Sequence, residues 1–333
     1  DAVELEIETE IFSVLSTNAP MGSVAGDFSL PGDAGLRAAY VSWMAHSIPG
    51  AERLQIVVDC ANGAATTVAP EIFKRSGAHV EFTHRTPDGR NINENCGALH
   101  PEIVAREVVS RNADMGICFD GDADRALFAD CHGKVVNGDA VMLLLARELR
   151  RRGELANDTV VATTMSNMGL EIALRESGIK LLRAPVGDKY VLEEMIKSGA
   201  VLGGEQSGHI ILSREATTGD GLLTAMRVLA IVAASGQTLA QMVSGLKVFP
   251  QTIKNVRVRE KRPFDQLPQV VGAIQAAESE LKGNGRVNVR YSGTESLARV
   301  MVEAEDEQTV HRLAAGIAAA LESALGTGTS ASH

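Results

Sequence analysis

Three carboxylates occupy alternate positions in Asp120-Gly121-Asp122-Ala123-Asp124-Arg125, directly after the apolar run Met115-Gly116-Ile117-Cys118-Phe119. Such a run reads as a buried strand. Alternate residues of an extended segment point to one side, so Asp120, Asp122 and Asp124 can converge. Gly121 and Ala123 between them are small and leave room. Three carboxylates held this close repel one another and protonate in part unless a cation joins them. A hard divalent ion with oxygen ligands, Mg²⁺ above all, relieves that repulsion. An EF-hand is excluded, because Arg125 and Cys131 stand where its loop needs Gly and Glu. The alternative is a solvated acidic turn.

Three further stretches offer chemistry. Arg290-Tyr291-Ser292-Gly293-Thr294-Glu295 joins two alternating segments, with Arg299 just beyond. It reads either as a plain hairpin or as a phosphate cradle. In the cradle Gly293 permits a backbone nest, Ser292 and Thr294 donate hydroxyls, and Arg290 and Arg299 supply charge. Glu205, Ser207 and His209 alternate on a Gly-flanked loop. A carboxylate and a hydroxyl presented together suit paired sugar hydroxyls, and a polar loop with a satisfied histidine is the plainer alternative. Val186-Gly187-Asp188-Lys189-Tyr190 reads as a helix start with Asp188 as its cap.

The elements that must position these residues alternate. Leu54–Val58 is a strand, Asp59–Gly63 a turn, and a helix runs to Ser76-Gly77 before a strand from Ala78 to Thr83. A helix follows Pro101, then the strand before the aspartates, a strand from Ala126 to Ala129, and a helix from Asp139. The same grammar restarts near residue 158: strand Val160–Thr163, a turn at Ser166–Gly169, a helix to Ser177-Gly178, strand Ile179–Leu182, a helix from Asp188, strand Ala200–Leu202, strand Ile210–Leu212, and a helix from Gly219. Strands alternating with helices imply two duplicated α/β domains with mainly parallel sheets. After Pro250 the pattern changes to alternating segments with helices, a small α+β C-terminal domain. The boundaries expected are 1–33, 34–153, 154–249, 250–325 and a disordered tail at 326–333. Asp33 should cap a helix whose core stripe is Leu36, Tyr40, Trp43 and Met44.

Bulk properties bound the partners. The 333 residues give ample core, and 45% apolar with 22% charged residues is ordinary globular composition. A net charge of −10 argues against nucleic-acid or anionic-membrane surfaces. Cys60, Cys96, Cys118 and Cys131 lack C-x-x-C spacing, which fits reduced thiols in a cytoplasmic protein rather than a disulfide framework or a zinc site. No apolar run is long enough to span a membrane.

Taken together and in order, Asp120–Arg125, Gly204–His209 and Arg290–Glu295 resemble the DGDxDR, GExSGH and RxSGTE loops of the α-D-phosphohexomutases. Met165–Glu171, Val186–Leu192, Gln206, Thr217–Gly221 and Asn91–Asn93 are similar to the phosphoglucosamine mutase branch. Relatives acting as phosphomannomutase/phosphoglucomutase, the alternative assignment, typically carry Met in place of Gln206. The resemblance implies Mg²⁺ held by Asp120, Asp122 and Asp124, with Arg125 beside the transferring phosphoryl group. It implies Glu205, Ser207 and Lys189 on the sugar, and Arg290, Ser292, Gly293, Thr294 and Arg299 on the non-reacting phosphate of a phosphorylated hexosamine. Asp188 and His209 are candidates for proton donor and acceptor. The family's T/S-A-S-H-N-P serine loop has no counterpart here, and residues 1–16 resemble the last helix of the domain that bears it. Ser330–His333 echoes that loop only in part. The chain is therefore expected to be inactive by itself, with a non-catalytic phosphosugar-binding module as the other reading. Ser296 for Pro, Pro185 for Lys and Lys189 for Arg are departures from the pattern.

Overall fold

The structure is a computed structural model that describes residues 6, 7, 9–13, 34–292 and 295–326. Two compact units are distinguished, Asp1–Ala38 and Ala39–His333. In the first, residues 6, 7 and 9–13 are helical. Helix α1 (Ala34–Met44) runs across the boundary.

The second unit begins with a five-stranded sheet. Its strands are β1 (Gln55–Asp59), β2 (His79–Thr83), β3 (Met115–Phe119), β4 (Ala126–Asp130) and the two-residue β5 (Val135–Val136), with α2 (Ala65–Ser76) and α3 (Pro101–Arg111) between them. The order is β2-β1-β3-β4-β5. The first three strands are parallel, and β4 returns antiparallel beside β3. Helix α4 (Gly138–Arg151) leads to β6 (Thr159–Thr163), α5 (Met168–Glu176), β7 (Lys180–Ala184), α6 (Asp188–Ser198), β8 (Leu202–Gly204), β9 (Ile210–Leu212) and α7 (Gly221–Ser235). The second sheet is ordered β7-β6-β8-β9, parallel for three strands and antiparallel at the last. Its four strands repeat the order and directions of β2-β1-β3-β4 in the first sheet, with no counterpart of β5, so the duplicated grammar of the sequence is a duplicated topology. A short helix α8 (Leu239–Val243) precedes the last sheet.

Local chemistry sets the helix starts. Asn137, Asn167 and Asp220 each cap a helix, accepting from the backbone N–H of Ala140, Gly169 and Leu223. The expected cap at Asp188 is corrected: Gly187 is the capping residue and Asp188 the first residue inside the helix. Beyond the expected elements, β5 and α8 are present, β8 lies two residues later than expected, and α7 starts at Gly221 rather than Gly219. The expected stripe of α1 is also revised. Val41 and Met44 are buried, while Leu36 and Trp43 stay exposed. Tyr40 is partly buried because its hydroxyl donates to Asp220. Asp33 lies outside the described residues.

One continuous apolar core serves both α/β sheets. It joins Ile56, Phe73, Ile117 and Phe128 on one side to Val160, Leu170, Leu202 and Ile210 on the other, with Val141–Ala146 of α4 and much of α7 between. The last sheet, β10 (Gln251–Arg257), β11 (Gly285–Tyr291) and β12 (Leu297–Ala304), is antiparallel in the order β10-β12-β11. Helices α9 (Pro268–Leu281) and α10 (Glu307–Leu325) close it with a separate core around Val270, Val300, Val302, Ile317 and Leu321. Gly326 bridges back to Val258, and residues 327–333 lie outside the described residues.

Candidate active site

Equivalent turns of the two duplicated units make the centre of the site. Residues 120–125 connect β3 to β4, and residues 205–209 connect β8 to β9. Both are the third-to-fourth strand connection of their sheet. They meet in an antiparallel bridge between Arg125 and His209, the last residue of each turn. The Ala126 N–H donates to the Gly208 carbonyl (3.2 Å), and the Gly221 N–H donates to the Ala123 carbonyl (2.9 Å). Gly208 is required twice over: its φ is +97°, and a Cβ there would lie 2.5 Å from the Ala126 carbonyl oxygen.

In the first turn, carboxylate oxygens of Asp120, Asp122 and Asp124 lie within 4.8 Å of one another. Burial pushes the Asp120 carboxyl up to about 7. The Arg125 backbone N–H at 3.1 Å works against that shift, and repulsion from Asp124 and Asp122 adds to it. The Arg125 guanidinium lies 3.5 Å from Asp120 and 3.6 Å from Asp124. Buried Asp124 Oδ1 and Arg125 Nε have no hydrogen-bond partner. Three ionised carboxylates against one guanidinium would leave an uncompensated double negative charge, which adds to burial in holding the Asp120 proton on. One divalent cation with oxygen ligands would neutralise it and satisfy the orphaned oxygen, so the donor set fits Mg²⁺.

The second turn presents Glu205 and Ser207 together. Glu205 Oε2 accepts from the Ser207 hydroxyl (3.3 Å), and Oε1 accepts from the Gly187 N–H (3.1 Å). That second bond ties the turn to the segment before α6, whose Asp188 and Lys189 are exposed. Glu205, Gln206 and Ser207 line a cleft of about 490 Å³ together with Thr163, Met165 and Val186. His209 is buried and fully used. Its Nε2 accepts from the Gly219 N–H (3.1 Å), so Nδ1 carries the proton and donates it to Asp124 Oδ2 (3.0 Å). The geometry makes His209 the holder of Asp124.

The third stretch is a hairpin between β11 and β12. Arg290 and Arg299 are directly paired across it. Ser292 accepts from the Glu295 N–H (3.3 Å), and Glu295 holds Arg299 at 3.2 Å. Gly293 and Thr294 lie outside the described residues. Among the described residues the first two turns are in backbone contact, and this hairpin makes no hydrogen bond to either.

Sequence reasoning passed over several residues that hold these parts. Lys261 donates to the Ser292 carbonyl at 2.6 Å. Asp139 accepts from the Asn167 N–H (2.8 Å) and from Gln206 Nε2 (3.0 Å), so it anchors the second turn from behind. Glu303 accepts from the Met168 N–H at 2.8 Å and pairs with Arg286 at 2.9 Å, while Arg286 also donates to the Thr164 carbonyl at 2.7 Å. These contacts fasten the last domain to the turn after β6. Each partner is remote in sequence, and no local spacing could have announced the contacts.

Family comparisons agree with this layout. Phosphoglucomutase/phosphomannomutase alpha/beta/alpha domain II matches residues 38–133, alpha/beta/alpha domain III matches 137–249, and the C-terminal domain matches 253–320. Phosphoglucosamine mutase of Koribacter versatilis is 55% identical over 332 residues, covering 98% of this chain and 72% of the relative. That of Rhodococcus jostii is 45% identical over 324 residues, covering 97% and 72%. Among solved structures, a phosphoglucomutase/phosphomannomutase family protein of Burkholderia thailandensis superposes with TM-score 0.68 at 23% identity, over 87% of this chain and 64% of that one. Aspergillus fumigatus N-acetylphosphoglucosamine mutase in complex with GlcNAc-6P and magnesium gives TM-score 0.62 at 22% identity, over 86% and 68%. The low identities of these two show the fold alone. With three domain matches that together run almost from end to end and a 55% identical relative, the chain belongs to the phosphoglucomutase/phosphomannomutase family, that is, the α-D-phosphohexomutases.

Proposed function

We propose that residues 1–333 are the metal-, sugar- and phosphate-binding part of a phosphoglucosamine mutase. That enzyme interconverts glucosamine 6-phosphate and glucosamine 1-phosphate through a phosphoserine and a bisphosphate intermediate. The observation that carries the reading is the meeting of the Asp120–Arg125 and Glu205–His209 turns at one bridge. It sets a carboxylate cluster beside a carboxylate–hydroxyl pair, as transfer to a sugar hydroxyl needs. The hexosamine preference rests on the relatives named phosphoglucosamine mutase.

Asp120, Asp122 and Asp124 would hold Mg²⁺, which when bound neutralises charge on a transferring phosphoryl group. Arg125 adds a guanidinium on the same side. His209 keeps Asp124 in place. Glu205 accepts from sugar hydroxyls while Ser207 donates, and Lys189, exposed in the first turn of α6, is assigned to the sugar by the family resemblance. Arg290 and Arg299, with Ser292, Gly293 and Thr294, grip the phosphate that is not being transferred. Asp188 is the exposed candidate for moving a proton. In this division residues 34–153 carry the metal turn, 154–249 the sugar turn and 250–325 the phosphate hairpin.

No serine of these residues stands in the family's serine-loop context, so this polypeptide alone should not turn over. Covalent transfer splits one hard step into two, and both halves need the same carrier. The test is a coupled assay of purified 1–333 with Mg²⁺ and glucosamine 1,6-bisphosphate. No conversion of glucosamine 6-phosphate is expected. Sustained conversion that Asp122→Asn abolishes would overturn the assignment of roles. Calorimetry with glucosamine, glucose and mannose 6-phosphates tests the sugar: tightest binding of the glucose or mannose ester would favour a phosphomannomutase/phosphoglucomutase.

A further inference from the structure

A second cluster of ligating side chains lies outside the site just described. Asp59 ends β1, His84 directly follows β2, and Cys96 sits on the loop before α3. Ligand atoms of the three lie within 4.8 Å of one another. Asp59 and Cys96 are completely buried, and the His84 side chain keeps 32% exposure. The Cys96 thiol is free, and because the three ligands come from three separate segments, the missing C-x-x-C spacing that spoke against a zinc site does not bear on this cluster. His84 has a left-handed backbone, φ +45°, unusual for a residue with a side chain, and its Nδ1 meets Asp59 Oδ2 at 3.0 Å. Asp59 also accepts from the N–H groups of Ala61 (2.8 Å) and Gly97 (3.0 Å). A carboxylate offers about four lone-pair sites, so one remains besides the one facing His84.

We infer that Asp59, His84 and Cys96 form a binding site for a borderline-soft divalent transition metal, zinc in the first instance, distinct from the all-oxygen Asp120–Asp124 cluster. Ligand chemistry and spacing both point there. A mixed oxygen, nitrogen and thiolate set selects zinc and its neighbours and discriminates against Mg²⁺. An ion bound to nitrogen and oxygen at about 2.0–2.1 Å in a tetrahedral site sets those two atoms about 3.3 Å apart. His84 and Asp59 are already close to that separation. Sulfur at about 2.3 Å from the ion would stand about 3.6 Å from the other two ligands, a small closure from the present spacing. On binding, the Cys96 thiol releases its proton to solvent and the imidazole proton moves from Nδ1 to Nε2. The fourth position is left to water.

The ion would tie together the ends of β1 and β2 and the loop before α3. Those segments brace the carboxylate turn. The Ala64 N–H donates to the Gly121 carbonyl (2.8 Å), and the Asn93 N–H donates to the Ala61 carbonyl (2.9 Å). A bound ion would thus stiffen the platform under Asp120.

Cobalt(II) titration of metal-free 1–333 tests this. One equivalent should produce a near-ultraviolet thiolate-to-cobalt charge-transfer band, which oxygen ligands cannot give, and zinc should bleach it. The band should vanish in Cys96→Ser, weaken in His84→Gln, and persist in Asp122→Asn. Absence of the band in the unsubstituted protein overturns the inference, as does its survival in Cys96→Ser. Should Cys96→Ser fail to fold, His84→Gln decides: a band of unchanged intensity and affinity there overturns the inference equally.

Discussion

At the residue scale, charge crowding makes the first testable statement. Asp120 is pushed up to about 7 in a cluster for which Arg125 is, among the described residues, the one guanidinium counter-charge. Asp122→Asn removes one ligand and one repulsive charge. It should weaken Mg²⁺ binding and raise the thermal stability of the metal-free protein. Identical calorimetric Mg²⁺ titrations for the two proteins would refute the cluster as a metal site. Arg290 and Arg299 face each other across one strand pair. Arg290→Ala and Arg299→Ala should each weaken phosphosugar binding by about 1.5–3 kcal/mol, the range for a charge-assisted hydrogen bond. Unchanged affinity in both would leave a plain hairpin. The carboxylate triplet was legible because its spacing is local. The bond from His209 to Asp124 spans 85 positions and depends on the Gly219 N–H to fix the tautomer. A sequence holds none of that, so His209 stood open between a satisfied loop histidine and a candidate for moving a proton.

At the element scale, the helices and strands were legible wherever periodicity and caps agreed. The start at Pro101 and the stops near Gly77 and Gly178 are local chemistry. The start of α6 was misread by one residue, because Gly187 and Asp188 both suit a cap and only the backbone φ of Gly187, +128°, decides. Helix α4 shows what its terminal charges do. Glu148 accepts from Arg151 (2.7 Å) and from Arg152 (2.6 Å), and chiefly the Arg151 bond lowers its pKa to about 2 from an ordinary 4.5. A carboxyl depressed in the folded state adds stability that is complete above the unfolded pKa and is lost as pH falls through the folded one. The gap in urea midpoint between the unsubstituted protein and Glu148→Gln should thus be full above about pH 4.5 and close as pH falls towards about 2. A gap independent of pH would show that the pairs contribute nothing to folding.

At the scale of the whole molecule, the two α/β units share one core while the last domain has its own. Sequence grammar counted three domains, and it could not show that the first two are welded through α4 and α7. The last domain depends on Glu303, which is fully buried and whose carboxyl burial pushes up, with the Met168 N–H and Arg286 opposing. Removing one partner of such a pair strands the other, at a cost of about 3–5 kcal/mol, whereas replacing both with apolar residues is far milder. Glu303→Ala should therefore destabilise strongly, and Glu303→Leu with Arg286→Met should recover much of the loss. Trp43 is the single tryptophan and lies in the α/β part. In Glu303→Ala its fluorescence transition should lag the far-ultraviolet dichroism transition, as the last domain unfolds first. Coincident transitions would show that the pair does not couple the domains.

The bridge between Arg125 and His209 joins the same position of two copies of one topology, and joins it antiparallel. Corresponding residues paired in opposite directions are related by a local dyad, the relation that an isologous homodimer uses. A true homodimer would have to present identical side chains on both sides of such an axis. Here both sides belong to one chain. One can therefore carry three aspartates and the other a glutamate, a serine and a histidine, so that corresponding positions about the axis differ in chemistry, which a symmetric assembly forbids.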